Sequence, residues 1–440
     1  MTTIPRIAEA MQTVLTTKAD RVAHETGFVQ RESKLGGASF AQALVFGWLG
    51  NPQATLEELS QAAAAIGVVI TPQGLDQRFS ESAAQCLQKV LEAAVEQVIV
   101  SEPVAIPILQ RFAEVYLDDS STVNLPKELA AVWSGSGGTQ HGTGAGLKLQ
   151  VRLEYTCGTL HGPFLQDGRT NDRQSVLQRM PVVAHSLRMA DLGYWSLDEL
   201  TARGSQDGYW LFRAQVQTKL YTQDGRQWTL VELLQSMPDI EIDIPVELGV
   251  KHRLPARLLA VRVPQEVAEK RRRRLHQVAR ERGRPVSKAC LALADWNVFV
   301  TNVPIELLTL REVLILARVR WQIELLFKLW KSSGQIDESR SRKPWRILCE
   351  LYAKLVAMIV QHWLLLISCW RYPDRSLFKA AKTIRRHAIT LACAMASTPA
   401  LSQAIETLQR CLAIGCRINK RSAQPHTYQL LLDLAEESLA

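Results

Sequence analysis

The chain has 440 residues, 47% of them hydrophobic and 22% charged, with a formal net charge of +9 and a pI near 9.2. This profile excludes a disordered chain and leaves room for two or three domains with cores of their own. The basic surplus favours a polyanionic partner.

Residues 1–105 read as helical. Met1 to Asp20 carries no basic-then-apolar export pattern. Leu56 to Ala65 is a short amphipathic run, and Thr71-Pro72 is a helix-start signal, a capping Thr followed by Pro in the first turn. Helix, Gly-containing turn and helix here suggest either a helix-turn-helix or an ordinary bundle, with Gln73, Asp76, Gln77 and Arg78 as candidate readers of a DNA end. Ser82 to Val100 reads as a longer helix. From Val115 the texture turns β-prone: Val115-Tyr116-Leu117 runs into Asp118-Asp119-Ser120-Ser121-Thr122, and Leu147 to Thr156 alternates apolar and polar. Cys157-Gly158 predicts a tight turn into a strand over Thr159 to Leu165. A helical segment over Asp172 to Arg179 and a strand ending near Ala190-Asp191 follow, and Ser196-Leu197-Asp198-Glu199 opens a helix as a capping box.

Further strands are expected over Gln215–Tyr221, Trp228–Leu234, Val246–His252, Leu258–Val263 and Trp296–Thr301. The last is preceded by a basic run of Lys270, Arg271 to Arg274, Arg280, Arg282, Arg284 and Lys288. A long helix begins near Leu308. The chain is helical again from Pro344, and its most apolar stretch, Leu355 to Trp370, reads as a buried helix because Gln361 and His362 interrupt it. The fold class is α+β with a mixed sheet. Eight cysteines without a C-x-x-C pair or nearby histidines point to free thiols in a reducing cytoplasm and not to zinc.

On the helix after Leu308, Arg320, Glu324, Lys328 and Lys331 share one face, while Val319, Ile323, Leu326 and Trp330 form a separate apolar stripe. Three acids stand at strand ends or on this helix: Asp119, Asp191 and Glu324. The chemistry that needs them is phosphodiester cleavage with two divalent ions, Mg²⁺ or Mn²⁺, clamping the attacking and leaving oxygens. Nearby cations would stabilise charge on the phosphate.

Three passages resemble a DDE transposase of a bacterial insertion sequence, in the insertion-sequence-four family. They are Asp118-Asp119-Ser120-Ser121-Thr122 through Leu125-Pro126, Asp191-Leu192-Gly193-Tyr194-Trp195, and Arg320-Trp321-Gln322-Ile323-Glu324 through Lys331, which is similar to the family's Tyr-Arg-Glu-Lys signature. Supporting phrases are Trp133-Ser134-Gly135-Ser136-Gly137, Tyr209-Trp210-Leu211-Phe212-Arg213 and Val300-Thr301-Asn302-Val303-Pro304. The signature's Tyr position holds Ala317. Of the acidic doublet, Asp119 aligns best with the family block, and Asp118 would then face the other side of the strand.

The resemblance implies a ribonuclease-H-like core with a β-rich insertion, flanked by helical N- and C-terminal domains. The expected parts are a helical DNA-end-binding domain over 1–105, the core in two pieces over 106–214 and 304–340, the insertion over 215–303, and a helical domain over 341–440 for dimerisation or DNA binding. The 133 residues from Asp191 to Glu324 leave room for that insertion. The resemblance further implies Asp119, Asp191 and Glu324 as catalytic metal ligands and Arg320, Lys328 and Lys331 as phosphate contacts. Trp296 would be the ring that stacks an extruded base. The implied activity is cut-and-paste transposition. The implied partners are double-stranded DNA at terminal inverted repeats and at the target, and a second copy in a homodimer, with no membrane. The implied location is a bacterial cytoplasm, at the nucleoid. The rival readings are a catalytically silent DNA-binding relic and a stand-alone nuclease.

Overall fold

The structure is a computed structural model describing residues 3–31, 34–135, 144–281, 283, 285–422 and 425–437. Ser136 and Gly137 of the supporting phrase, and Arg282 and Arg284 of the basic run, lie outside the described residues. The fold is mixed α/β, with a central multi-stranded sheet and helical regions at both ends of the chain, as a ribonuclease-H-like core requires. The chain divides into two units. The first comprises Met1–Ile106, Asp119–Thr170 and Trp321–Leu432; the second comprises Pro107–Asp118, Asn171–Arg320 and Asp433–Ala440.

The first unit is built around helix Pro344–Leu366, buried without interruption from Ile347 to Leu366. By length and composition it could cross a membrane, but its whole apolar window is covered by protein. A helix apolar all round belongs in a core, and this one packs on helices Gly37–Gly50 and Glu81–Val95. Glycine permits a close approach between helices Gly37–Gly50 and Ala19–Glu25: a Cβ on Gly37 would lie 2.4 Å from the carbonyl oxygen of Ala19. Leu56–Ala65 is a helix with the expected bounds, opened by a reciprocal Thr55–Glu58 capping box. The unit's strands run in the order β3-β2-β1, with β1 at Val115–Leu125, β2 at Ala145–Glu154 and β3 at Leu160–Asp167. β2 and β3 are antiparallel, joined through Gly158 at φ +76°.

The second unit holds the first four residues of β1 and, beside them, β4 (Leu187–Ala190) and β5 (Tyr209–Arg213), all parallel. Antiparallel strands continue from β5 as β10 (Trp296–Thr301), β9 (Leu254–Arg262), β8 (Glu241–Leu248), β6 (Leu220–Tyr221) and β7 (Gln227–Trp228). The expected strands Gln215–Tyr221 and Val246–His252 keep only Leu220–Tyr221 and Val246–Leu248 as strand, the latter inside β8. Two further expectations fail for local reasons. Trp228–Leu234 is not a strand: Thr229 and Glu232 form a capping box that starts helix Leu230–Ser236. Asp172–Arg179 forms only two short 3₁₀ turns, each started by a side-chain cap from Asn171 or Ser175. The long helix expected from Leu308 is two helices, Leu310–Val319 and Trp321–Ser332, with Arg320 between them.

Candidate active site

β1 and β4 run parallel with Tyr116 opposite Arg188 and Asp118 opposite Ala190. Asp118 is wholly buried, and its Oδ2 accepts a hydrogen bond from Arg188 Nε at 2.8 Å. The first acid of the doublet is therefore committed to a buried ion pair within the sheet. Asp119, the next residue, is half-buried, and its Oδ1 accepts from the Ser120 amide. On β4 the residue after Ala190 is Asp191, which is exposed and extended (φ −76°, ψ 164°).

The rest of the Asp-Leu-Gly-Tyr-Trp passage is architectural. A Cβ on Gly193 would come within 2.8 Å of Asp172 Oδ2, so a side chain in the turn Leu192–Tyr194 would have to displace that carboxylate. The Tyr194 carbonyl accepts from Gln178 Nε2 at 2.9 Å, and Trp195 packs edge-on against Phe212 at 5.8 Å. The other supporting phrases also meet as structure. Asn302 Oδ1 accepts from the Trp210 amide at 2.8 Å and its Nδ2 donates to the Gly208 carbonyl at 2.9 Å, tying the end of β10 to β5.

Glu324 lies on Trp321–Ser332, a helix that buries Ile323, Leu326, Phe327, Leu329 and Trp330. Together with buried Val319 this is the apolar stripe expected from the sequence. Glu324 and Lys331 are half-buried and Lys328 is exposed. Lys331 Nζ donates to the Thr122 carbonyl on β1 at 3.1 Å, which binds the end of this helix to the strand that carries Asp119. The chain after the helix is held as firmly. A Cβ on Gly334 would meet Met358 Sδ at 2.5 Å, and Gln335 adopts φ +46° as a left-handed cap. Buried Lys354 donates to the carbonyls of Gln335 and Glu338 at 2.9 and 2.8 Å while paired with Glu350 at 2.7 Å. Sequence reasoning overlooked Lys354 and Arg188; in each case the signal was a charge inside an otherwise apolar run.

Trp296 begins β10 and is 8% exposed, with the Arg262 guanidinium 4.8 Å from its ring centroid. Beside it is a cavity of about 600 Å³ bordered by Arg262, Arg272, Asp295 and Leu234. Two arginines of the basic run are turned inward. Arg271 donates to the Trp296 carbonyl at 3.0 Å and to Asn297 Oδ1 at 2.7 Å, and Arg272 binds both oxygens of Asp295. Burial lowers the pKa of Arg271. Near the N-terminus, Asp76 is paired with Lys343 and Arg346 at 2.5 and 3.1 Å, and its carboxyl is held low by the Lys343 hydrogen bond. Arg78 lies over the Phe28 ring at 4.5 Å. Those two side chains of the suggested DNA-reading helix therefore serve the protein's own packing, and the helix itself, Pro72–Asp76, has five residues.

Asp119 and Glu324 belong to the first unit and Asp191 to the second. Among the described residues, no group of three or more His, Cys, Asp or Glu side chains is placed to hold a metal ion.

Residues 110–360 match the family model for the transposase DDE domain, a span that contains all three acids. This chain belongs to the DDE transposase family. The transposase for insertion sequence element IS231F of Bacillus thuringiensis subsp. israelensis is 26% identical to it over 379 residues, covering 81% of this chain and 79% of that protein. The transposase for IS1151 of Clostridium perfringens is 25% identical, covering 78% and 76%. Escherichia coli K12 has a putative transposase InsL for IS186A that is 29% identical over 204 residues, 44% of this chain. The family match takes in β1, β4 and the Glu324 helix of this DDE transposase-family chain.

Proposed function

We propose that this chain acts on the ends of an insertion sequence of the insertion-sequence-four group, binding duplex DNA at terminal inverted repeats as a homodimer in the bacterial cytoplasm. In its full form the reading is cut-and-paste transposition: cleavage at the repeats, then strand transfer to target DNA. Asp119, Asp191 and Glu324 would be the catalytic acids, with two Mg²⁺ or Mn²⁺ ions as cofactors. Arg320 and Lys328 would lie along the phosphates, while Lys331, expected with them, is engaged by the Thr122 carbonyl. The observation that carries this reading is the family match over 110–360, which takes in all three acids. The net charge of +9 suits a polyanion.

A second reading is DNA binding without cleavage, as in a transposase relic. The absence of a gathered three-acid group among the described residues favours it, and so does Ala317 at the signature Tyr position. The experiment is a nicking and joining assay on duplexes carrying the repeats that flank the gene, with and without Mg²⁺ or Mn²⁺. Metal-dependent nicking followed by joining supports the full form. Binding without nicking at any metal concentration supports the relic, and nicking without joining supports a stand-alone nuclease.

A further inference from the structure

Asp118 and Arg188 take no part in the chemistry proposed above, yet each lies next to a residue that does. Their side chains are 0% and 3% exposed and share a 2.8 Å hydrogen bond. The stretch of β1 registered against β4 is four residues long, Val115 to Asp118 against Leu187 to Ala190. A slip of one residue in so short a ladder would turn every side chain to the opposite face. The ion pair removes that freedom. Arg188 stands opposite Tyr116, and its guanidinium reaches two residues along the neighbouring strand to Asp118, so both charges lie on one face. Out of register, two charges would be left buried without each other, which is strongly unfavourable. Arg188 also faces the Tyr194 ring at 5.9 Å, and Tyr194 closes the turn that begins at Asp191.

We infer that Arg188 and Asp118 are positioning residues, a register lock that sets where the residue after each registered stretch, Asp191 just past β4 and Asp119 on β1, is presented. Arg188 acts at both ends of the Asp191 segment, through the strand before it and the turn after it. The inference rests on the proposed roles of Asp119 and Asp191, and the burial of the pair gives it no access to substrate. It accounts for an arginine inside the apolar run Leu187-Arg188-Met189-Ala190, and for why the doublet needs two acids with different duties.

The test uses the full chain with Arg188→Lys and the paired replacement Asp118→Leu/Arg188→Met, which fills the site without leaving a lone buried charge. Hydrogen exchange is read at Leu117–Asp119 and Met189–Asp191, with β8 and β9 as internal controls. The paired variant is expected to exchange about tenfold faster at both strand ends and unchanged in the controls. Unchanged exchange at the strand ends overturns the inference, whether or not the wild-type chain cleaves DNA. On flanking-repeat duplexes, the paired variant is expected to bind within about twofold of wild type while its turnover at saturating DNA falls about thirtyfold, with Arg188→Lys recovering much of the loss. A merely structural pair would lower binding and turnover together, and that result, or wild-type turnover in the paired variant, also overturns it. A wild-type chain that never nicks overturns the cleavage reading alone, and the exchange result then decides the register lock.

Discussion

Lys331 spends its charge on the carbonyl oxygen of Thr122, 3.1 Å away on β1, and so joins the Glu324 helix to the Asp119 strand inside one unit. Lys328, one turn earlier on the same helix, is exposed. Two lysines expected alike along the phosphates are thus in different states. One is a strut of the protein, and the other is available to a phosphate.

Salt dependence of DNA binding should separate them. Lys328→Gln is expected to reduce the slope of log K against log salt by about 1, the signature of one lost phosphate contact. Lys331→Gln should leave the slope nearly unchanged and cost about 1–3 kcal/mol of folding stability through its charged hydrogen bond. Equal slope changes in both variants would show Lys331 to be a phosphate contact.

The acidic doublet should split in the same way. Asp119→Asn, Asp191→Asn and Glu324→Gln are each expected to lower nicking of repeat-end duplexes by about 10²-fold or more, with folding and binding retained. Asp118→Asn should instead lower stability, by about 3–5 kcal/mol at most, because it leaves Arg188 without its charged partner. Denaturant midpoints and nicking rates measured on the four variants check this division.

His362 gives the first unit a pH dependence. Its Nε2 donates to the Gly158 carbonyl at 2.7 Å, and burial pushes its pKa down to about 4, against the opposing pull of that hydrogen bond. An unfolded histidine titrates near 6.5. The neutral ring therefore contributes its full stability above about pH 6.5, where neither state is protonated. As pH falls toward 4 the unfolded state gains a proton that the folded state resists, and roughly 3 kcal/mol is lost. Urea unfolding at pH 7, 5.5 and 4.5 should show this decline, and His362→Gln should flatten it. An unchanged decline in that variant would assign the dependence to other groups.

Gly334 leaves no room for a side chain, with Met358 Sδ at 2.5 Å and the Trp330 carbonyl at 2.7 Å from an added Cβ. Gly334→Ala is expected to cost about 1–3 kcal/mol by overpacking. Because the strain falls where the Glu324 helix ends, nicking should fall further than the loss of folded protein explains. Comparing calorimetric stability with specific activity checks it.

Much of this was legible in the sequence because its signals were local. The stripe Val319, Ile323, Leu326 and Trp330 is buried as its spacing required. Leu56–Ala65 and Trp296–Thr301 keep their expected bounds, since a capping box and a β-prone run each act within a few residues. Local signals also misled: Trp228 to Leu234 has the composition of a strand, but the Thr229–Glu232 cap decided for helix. Partners distant in sequence were out of reach. Nothing near Asp118 announces Arg188, 70 residues on, and a basic run gives no hint that Arg271 and Arg272 face inward until β10 and Asp295 are packed against them.

The burial of helix Pro344–Leu366 against Gly37–Gly50 and Glu81–Val95 has a consequence for biogenesis. About 250 residues separate Val95 from Pro344, and at ribosome rates of ~5–20 residues per second that interval lasts roughly 12–50 s. Throughout it, the early helices hold an apolar seam open to solvent. A newborn chain should then lean on chaperones until its late helix arrives, and a message truncated before codon 344 should yield insoluble product.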